Sequence, residues 1–236
     1  MTLALVTATA SEMRAALAGL NAPSGIPDRG VIRAVIAGRE ALLVVTGVGP
    51  VNAALEMGAV LGRYSVSGVV NLGVAGSFDL GLAPLESAVT ANAETYTDYG
   101  VAGSDGLADC AGFAFPQWDG NGTRVLQRIE LDPQASARNL GLALPERWTP
   151  GPAITVAGVT GSLERARALS ARHGALMESM EGFSLALACL TRRLPFLEVR
   201  TISNGVGERD RKKWKLTQAL TGLGTVTASL FGQGSQ

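Results

Sequence analysis

The length, composition and charge of the chain exclude several classes of protein. It has 236 residues, and 47% of them are hydrophobic, which is too many for a chain that stays disordered. Twenty basic and twenty acidic side chains cancel, and this balance argues against nucleic acid as a partner, because phosphate backbones are bound by clustered cations. The two cysteines, Cys110 and Cys189, form no CxxC motif, so we expect neither a disulfide framework nor a metal site.

The hydropathy pattern gives no sign of a membrane or export segment. No apolar run approaches the ~20 residues that a membrane-spanning helix needs. Residues 1–6 lack the charged region that opens a signal peptide and read as a first core strand. We therefore expect a cytoplasmic protein that forms one domain over residues 1–236 and has no membrane partner.

Apolar β-rich runs alternate along the chain with longer amphipathic stretches, which is typical of an α/β domain with a mixed sheet covered by helices. The pattern predicts strands at residues 3–7, 31–36, 41–46, 68–72, 86–93, 153–157, 175–178 and 196–202. It predicts helices at residues 11–20, 50–61, 163–173, 181–192 and 212–230. The Gly-rich segment 96–127 predicts a long loop that covers a site.

Ligands in open α/β sheets bind at the carboxyl ends of strands, and residues that could carry chemistry follow two of the early strands. Glu12 comes directly after the first strand, where the dipole of the following helix also accounts for a carboxylate. Segment 46–54 places a Gly-x-Gly turn between a strand and a helix. Asn52 occupies the place of the third glycine in a dinucleotide fingerprint, which argues against NAD binding.

Two later segments carry similar signals. Residues 73–76, Gly-Val-Ala-Gly, would let the backbone approach a ligand, with the Ser77 hydroxyl beside it; a tight turn explains the same glycines. Glu178 and Glu181 stand in an apolar stretch, where carboxylates are costly to bury without partners. A helix N-cap accounts for Glu181 as well as ligand hydroxyls do.

These signals occur in one order along the chain: Glu12, Gly47-Val48-Gly49 with Asn52-Ala53-Ala54, the 73–76 turn, Met180-Glu181-Gly182 and Arg200-Thr201-Ile202-Ser203-Asn204. That ordered set resembles the nucleoside phosphorylase and nucleosidase superfamily over nearly the whole chain. Within it, segments 178–182 and 202–210 with Trp214 resemble the futalosine hydrolases of menaquinone biosynthesis.

The resemblance implies a three-layer α/β/α domain with a mixed, partly barrel-like sheet, a homo-oligomer of two or more chains, and no cofactor or metal. It implies that Glu12 is the general base that activates water, that Glu181 binds the ribose hydroxyls, and that Asn204 faces the departing base. The other implied contacts to the nucleoside are Ser77, Phe78, Thr160, Gly161, Met180, Arg209 and Asp210.

Asn204 bears on the choice of base. Relatives that act on adenine nucleosides carry an aspartate at this place, whereas an amide supplies N–H donors that suit the N7 and O6 acceptors of hypoxanthine. The position in phosphorylases that holds an arginine for phosphate is here taken by Asn71 and Leu72, so we expect hydrolysis and not phosphorolysis. The alternatives are a methylthioadenosine or adenosylhomocysteine nucleosidase, an inosine phosphorylase and a non-catalytic nucleoside-binding protein.

Overall fold

The computed structural model describes residues 2–20, 23, 25–103 and 106–232. The strands are β1 (Thr2–Thr7), β2 (Gly30–Ile36), β3 (Arg39–Val45), β4 (Val66–Ser77), β5 (Ala88–Tyr96), β6 (Val101–Ala102), β7 (Ala108–Asp109), β8 (Trp118–Gly120), β9 (Thr123–Val125), β10 (Arg128–Glu130), β11 (Thr149–Thr155), β12 (Met177–Ser179) and β13 (Phe196–Gly205). The helices are α1 (Ala10–Ala16), α2 (Pro50–Arg63), α3 (Pro133–Leu140), α4 (Leu163–His173), α5 (Gly182–Arg192) and α6 (Leu216–Phe231), with one 3₁₀ turn at Arg211–Lys213.

Five strands close on one another to form a small barrel. Strand β13 pairs with both β4 and β5, and the pairs β5–β11, β11–β12 and β12–β4 complete the ring. The N-terminal half of β4 also pairs with β1, which continues the sheet outward through β3 to β2. Strand β4 therefore belongs to both the barrel and the open part of the sheet.

Alternation along β1 shows why the sheet is covered on both faces. Leu5 lies in a core cluster with Met13 of α1 and Leu223 of α6, whereas Val6 lies in a second cluster with Met57 of α2. Successive side chains of a strand point to opposite faces, so an apolar run of this kind needs helices on both sides. The expected three-layer arrangement with a mixed, partly barrel-like sheet is confirmed.

The predicted end of the fourth strand is wrong. The sequence predicts a turn at residues 73–76, but β4 continues through these residues to Ser77. Strand β13 pairs with β4 from Val69 to Ser77, and β12 joins its other edge at Gly76. Pairing on both edges overrides the weak strand preference of glycine.

Two further differences concern the middle of the chain. No element is predicted for α3, although Asp132 caps it by accepting from the Ala135 N–H at 2.8 Å and Gly141 ends it in the left-handed conformation. In segment 96–127, the structure has two short hairpins, β6–β7 and β8–β9, within the predicted loop. None of the helices in the described part of the chain is long and apolar enough to cross a membrane.

Candidate active site

A cavity of about 490 Å³ opens where β1, β4 and β13 end. These three strands are parallel, so their carboxyl ends meet at one edge of the sheet. The volume lies in the range of sites for small organic ligands. Polar side chains reach the cavity from the segment after β1, from β12 and from the end of β13, while β4 contributes Val74, Ala75 and Gly76 and most of the wall is apolar.

Glu12 is fixed in the wall of this cavity by three hydrogen bonds. Its Oε2 accepts from the Thr9 N–H at 3.0 Å and the Thr9 hydroxyl at 2.8 Å, and its Oε1 accepts from the Val74 N–H at 3.1 Å. The side chain of Thr9 in turn accepts from the N–H of Glu12, which completes a capping box at the start of α1. The same carboxylate therefore stabilises a helix end and faces the cavity.

Glu181 reaches the cavity from the start of α5. It occupies the N-cap position, but its side chain makes no capping bond. Its Oε1 accepts from the N–H of Gly49 at 3.0 Å, and its Oε2 lies 3.6 Å from Nη2 of Arg200. Burial raises the pKa of Glu181, and the positive charge of Arg200 opposes that rise. The Gly-x-Gly turn thus serves to hold a carboxylate.

Arg200 is the main residue that the sequence analysis missed, because it was read only as part of a motif. Its side chain is 1% exposed, and its Nε donates to Oε1 of Glu198 at 2.7 Å. Burial alone lowers the pKa of Arg200, but the negative charges of Glu198, Glu181 and Glu12 raise it above its ordinary value. A Glu and an Arg two places apart in the apolar strand 196–202 were the available signal, since both point to one face.

Gly73 allows Arg200 and Glu12 to meet. A Cβ built on Gly73 would lie 2.8 Å from Oε1 of Glu12 and still closer to Nη1 of Arg200. The guanidinium and the carboxylate therefore share the space above this glycine. Any larger residue at position 73 would push at least one of the two groups away.

Glu178 and Asn204 flank Gly76 on the neighbouring strands, and both are in register with it. Glu178 accepts from the Thr160 N–H at 3.0 Å and from the Thr160 hydroxyl, and burial raises its pKa. The Asn204 amide donates to the carbonyl of Gly205 at 2.9 Å and accepts from the Ser203 hydroxyl at 2.7 Å. One of its two N–H groups, together with an acceptor lone pair, stays available to a ligand.

The remaining predicted site residues divide into two groups. Thr160, Met180 and Arg209 line the cavity together with Glu12, Glu181 and Asn204. Four others do not line it: Ser77, Phe78, Gly161 and Asp210.

Three of these four have other contacts. The Ser77 hydroxyl is buried and accepts from the Asp79 N–H at 3.2 Å. Phe78 packs against the cluster around α4, and Asp210 caps the 3₁₀ turn by accepting from the Lys212 N–H at 3.0 Å. No described residue of segment 96–127 lines the cavity, contrary to the expectation that this segment covers a site.

The charge of the cavity wall is negative. Glu12, Glu178, Glu181 and Glu208 line it, and among the described residues of the wall the only cation is Arg209. Arg209 lies at the rim, where its guanidinium stacks 5.6 Å from the ring centre of Trp214. A wall of this composition suits a ligand rich in hydroxyls better than a phosphate dianion.

Comparison with known proteins assigns this fold and cavity to a family. The family model described as Phosphorylase superfamily matches residues 2–230. The futalosine hydrolase of Streptomyces coelicolor is 36% identical over 194 residues, which are 80% of this chain and 77% of that protein. The chain belongs to the phosphorylase superfamily, in its futalosine hydrolase family.

Two further comparisons concern a solved structure with the same fold and a related nucleosidase. A solved structure of the futalosine hydrolase of Helicobacter pylori has a TM-score of 0.75 at 20% identity, covering 97% of this chain and 96% of that chain, and it supports the shared phosphorylase superfamily fold. The 5′-methylthioadenosine/S-adenosylhomocysteine nucleosidase of Colwellia psychrerythraea is 27% identical over 200 residues, which are 83% of this chain and 80% of that protein.

Gly73→Ala tests the approach of Arg200 and Glu12. We expect the variant to fold but to lose roughly a hundredfold in turnover, because a shift of about 1 Å in a catalytic group has effects of this size. Gly62→Ala is the matched control, since nothing lies within 4 Å of the added methyl group. Steady-state rates and circular dichroism of both variants provide the measurement, and equal rates would contradict the geometry described here.

Proposed function

We propose that the protein hydrolyses the N-glycosidic bond of futalosine, releasing hypoxanthine and dehypoxanthine futalosine. The observation that carries this proposal is the meeting of Glu12, Glu181 and Asn204 in the wall of one cavity. The 36% identity to a futalosine hydrolase supports the choice of substrate. We further propose that residues 1–236 act as a single domain, and that the protein works in the cytoplasm, where its free cysteines would stay reduced.

We assign to Glu12 the activation of the water that attacks the anomeric carbon. An N-glycosidic bond breaks through a cation-like ribosyl group, so the attacking water must be aligned and must lose a proton. The base leaves with the electron pair of the broken bond and takes up a proton from water. A carboxylate that accepts three protein hydrogen bonds is held in one orientation, and Oε1 of Glu12 keeps one lone pair for the water. General bases placed in this way contribute about 10²–10⁴-fold to a rate.

The ribose is assigned to Glu181. One of its oxygens accepts from Gly49, and the other, 3.6 Å from Arg200, retains lone pairs for the 2′ and 3′ hydroxyls. Bonds from these hydroxyls to a carboxylate strengthen as the ring gains positive charge, so they stabilise the transition state more than the bound substrate. Arg200, placed between Glu12 and Glu181, limits the repulsion between the two carboxylates.

We place the purine over Gly76, between Asn204 on one side and Glu178 on the other. The free N–H of Asn204 would donate to N7 or O6 of hypoxanthine. Glu178 would accept from N1–H, a donor that adenine lacks. Their Cα atoms stand two strand spacings apart, roughly 10 Å, which leaves room for a purine between the side chains. A mis-paired adenine would lose ~1–3 kcal/mol, or about tenfold to a hundredfold in affinity.

The cavity wall favours water over phosphate as the attacking group. Arg14 is exposed on α1 and does not line the cavity, and Asn71 and Leu72 are buried inside β4. Arg200 is already paired with Glu198 and Glu181. Glu12 would repel a dianion at the attacking position.

The rim is assigned to the benzoate-bearing 5′ tail of futalosine. The guanidinium of Arg209 is exposed and lies over Trp214, so the pair offers a cation and an aromatic face to an aromatic carboxylate. Asp210 is exposed next to Arg209, and its negative charge would repel the carboxylate of the tail. We therefore assign the attraction to Arg209 alone.

The proposal is tested by incubating the purified protein with futalosine, inosine and methylthioadenosine, with and without phosphate, and separating the free bases by chromatography. We expect hypoxanthine from futalosine at a rate that phosphate does not change, and poor turnover of the other two compounds. Adenine from methylthioadenosine as the main product would overturn the substrate assignment. A rate that requires phosphate would overturn the assignment as a hydrolase.

Glu12→Gln tests the general base. The amide keeps the shape of the side chain but cannot take a proton from water, so we expect kcat to fall by about 10²–10⁴-fold while substrate still binds. Glu164→Gln removes the same charge at an exposed position of α4 and should leave kcat unchanged. Calorimetry with futalosine and steady-state rates measure the two effects, and an unchanged kcat would remove Glu12 from the mechanism.

Asn204→Asp tests the choice of base. An aspartate accepts from a 6-amino group where the amide N–H opposes it, so we expect the ratio of kcat/KM for adenine to 6-oxopurine nucleosides to rise by about tenfold or more. Asn139→Asp, exposed on α3, is the control for the added charge. An unchanged ratio in Asn204→Asp would show that the base is selected elsewhere.

We also propose a homo-oligomer. Val51 and Leu55 are 68% and 63% exposed one turn apart on α2, and Val48, which precedes this helix, is exposed at the cavity. Exposed apolar side chains grouped in this way are typical of an interface. Light scattering should give at least twice the 24.3 kDa chain mass, and Leu55→Arg should lower it. A wild type that runs at the mass of one chain would refute the oligomer.

A further inference from the structure

Two carboxyl groups behind Arg200 have no part in the proposed chemistry. Glu94 of β5 and Glu198 of β13 are 0% and 1% exposed, and both lie against Gly182 in the first turn of α5. Buried carboxylates of this kind are costly unless each oxygen has a donor.

Two of the four oxygens have donors. Oε2 of Glu94 accepts from the Thr155 hydroxyl at 2.8 Å, and that hydroxyl accepts from the Phe183 N–H at 2.8 Å. Oε1 of Glu198 accepts from Nε of Arg200 at 2.7 Å. No N–H or O–H group of the described residues reaches the other two oxygens, Oε1 of Glu94 and Oε2 of Glu198.

These two unsatisfied oxygens are neighbours. A Cβ built on Gly182 would lie 2.5 Å from Oε2 of Glu198 and closer still to Oε1 of Glu94. Both oxygens therefore border the same small space above Gly182. A single proton between them would give each oxygen a hydrogen bond, with one acting as donor and the other as acceptor.

The charge of the cluster also requires a proton. Glu94, Glu198, Glu181 and Glu12 are each at most 6% exposed, and Arg200 is the cation that they share. Four ionised carboxylates around one guanidinium would leave three negative charges in excess, and Glu94 and Glu198 do not line the cavity, where solvent could screen them. Neutralising one carboxylate removes the repulsion between the closest pair.

We propose that Glu94 is a protonated carboxylic acid that donates a hydrogen bond to the Glu198 carboxylate, and that this pair is a positioning device for Arg200 beside Glu12 and Glu181. The part that concerns catalysis rests on the proposed function. The proton resides on Glu94 because Glu198 accepts a charge-assisted bond from Arg200, which favours its ionised form, whereas the hydrogen bond that Glu94 accepts comes from the neutral Thr155 hydroxyl. Burial and the adjacent Glu198 raise the pKa of Glu94 in the same sense.

Three substitutions distinguish a pair that positions Arg200 from a pair that only supports the fold. The amide of Glu94→Gln can still donate to Glu198 and accept from Thr155, so kcat should stay close to the wild-type value. Glu94→Leu has a similar size but no donor, and Glu198→Gln removes the charge that holds Arg200. Both should lower kcat by roughly a hundredfold, because Arg200 shifts, with a smaller effect on KM. Glu164→Gln is the control.

Two outcomes of the kinetic experiment would overturn the proposal. If Glu94→Gln loses as much activity as Glu94→Leu, the proton is not on Glu94. If Glu94→Leu or Glu198→Gln keeps the wild-type kcat, the pair does not position Arg200.

A measurement without substrate tests the proton itself. A carboxyl with a raised pKa in the folded protein is neutral there while it is already ionised in the unfolded chain. The wild type therefore loses stability as the pH rises from about 4.5, the ordinary value, through the raised pKa of Glu94. Glu94→Gln lacks this group, so its free energy of unfolding relative to wild type should increase with pH over that interval.

Urea unfolding of both proteins at a series of pH values gives this difference. A difference that does not change with pH, or a Glu94→Gln variant that does not fold, would refute the protonated carboxyl. This result does not depend on futalosine hydrolysis. A protein that shows the pH effect but leaves futalosine intact would retain the proton pair and lose only the proposed function.

Discussion

The site depends on one constraint, which is that the guanidinium of Arg200 is buried among carboxylates. Removing an ion from water costs several kcal/mol, and close opposite charges with well-aligned hydrogen bonds must offset this cost. Glu198 provides the short bond at 2.7 Å, while Glu181 and Glu12 lie on the side of the cavity. The position of Arg200 then decides how near the two cavity carboxylates stand to each other.

Glycines make this concentration of charge possible. Gly73, Gly76 and Gly182 each stand where a Cβ would meet a side chain of the site or of the Glu94–Glu198 pair. In a strand, glycine normally weakens the pairing, but β4 is held by neighbours on both edges and tolerates Gly73 and Gly76 near its end. The end of β4 therefore contains residues of low strand preference in the segment where the backbone must come close to a ligand and to Arg200.

The amino-acid sequence predicts the layers of the fold better than the details of the site. Apolar runs such as residues 3–7 and the helix at 163–173 are determined by local patterns, and the structure has both. The barrel came from the resemblance, because its closure depends on β13 pairing with strands far away in the chain. Glu12 and Glu181 were found through motifs, whereas the role of Arg200 depends on contacts between strands that no local pattern contains.

Within the described residues no strand follows β13, which fills the gap between β4 and β5. Without β13, β4 and β5 would each leave a strand edge without its partner, and such edges are prone to pair with other chains. Arg200 and Asn204 arrive on this same strand, so the step that closes the barrel also completes the cavity. Long-range pairing of this kind is slow, so completion of the cavity waits for β13 to pair with both of its neighbours.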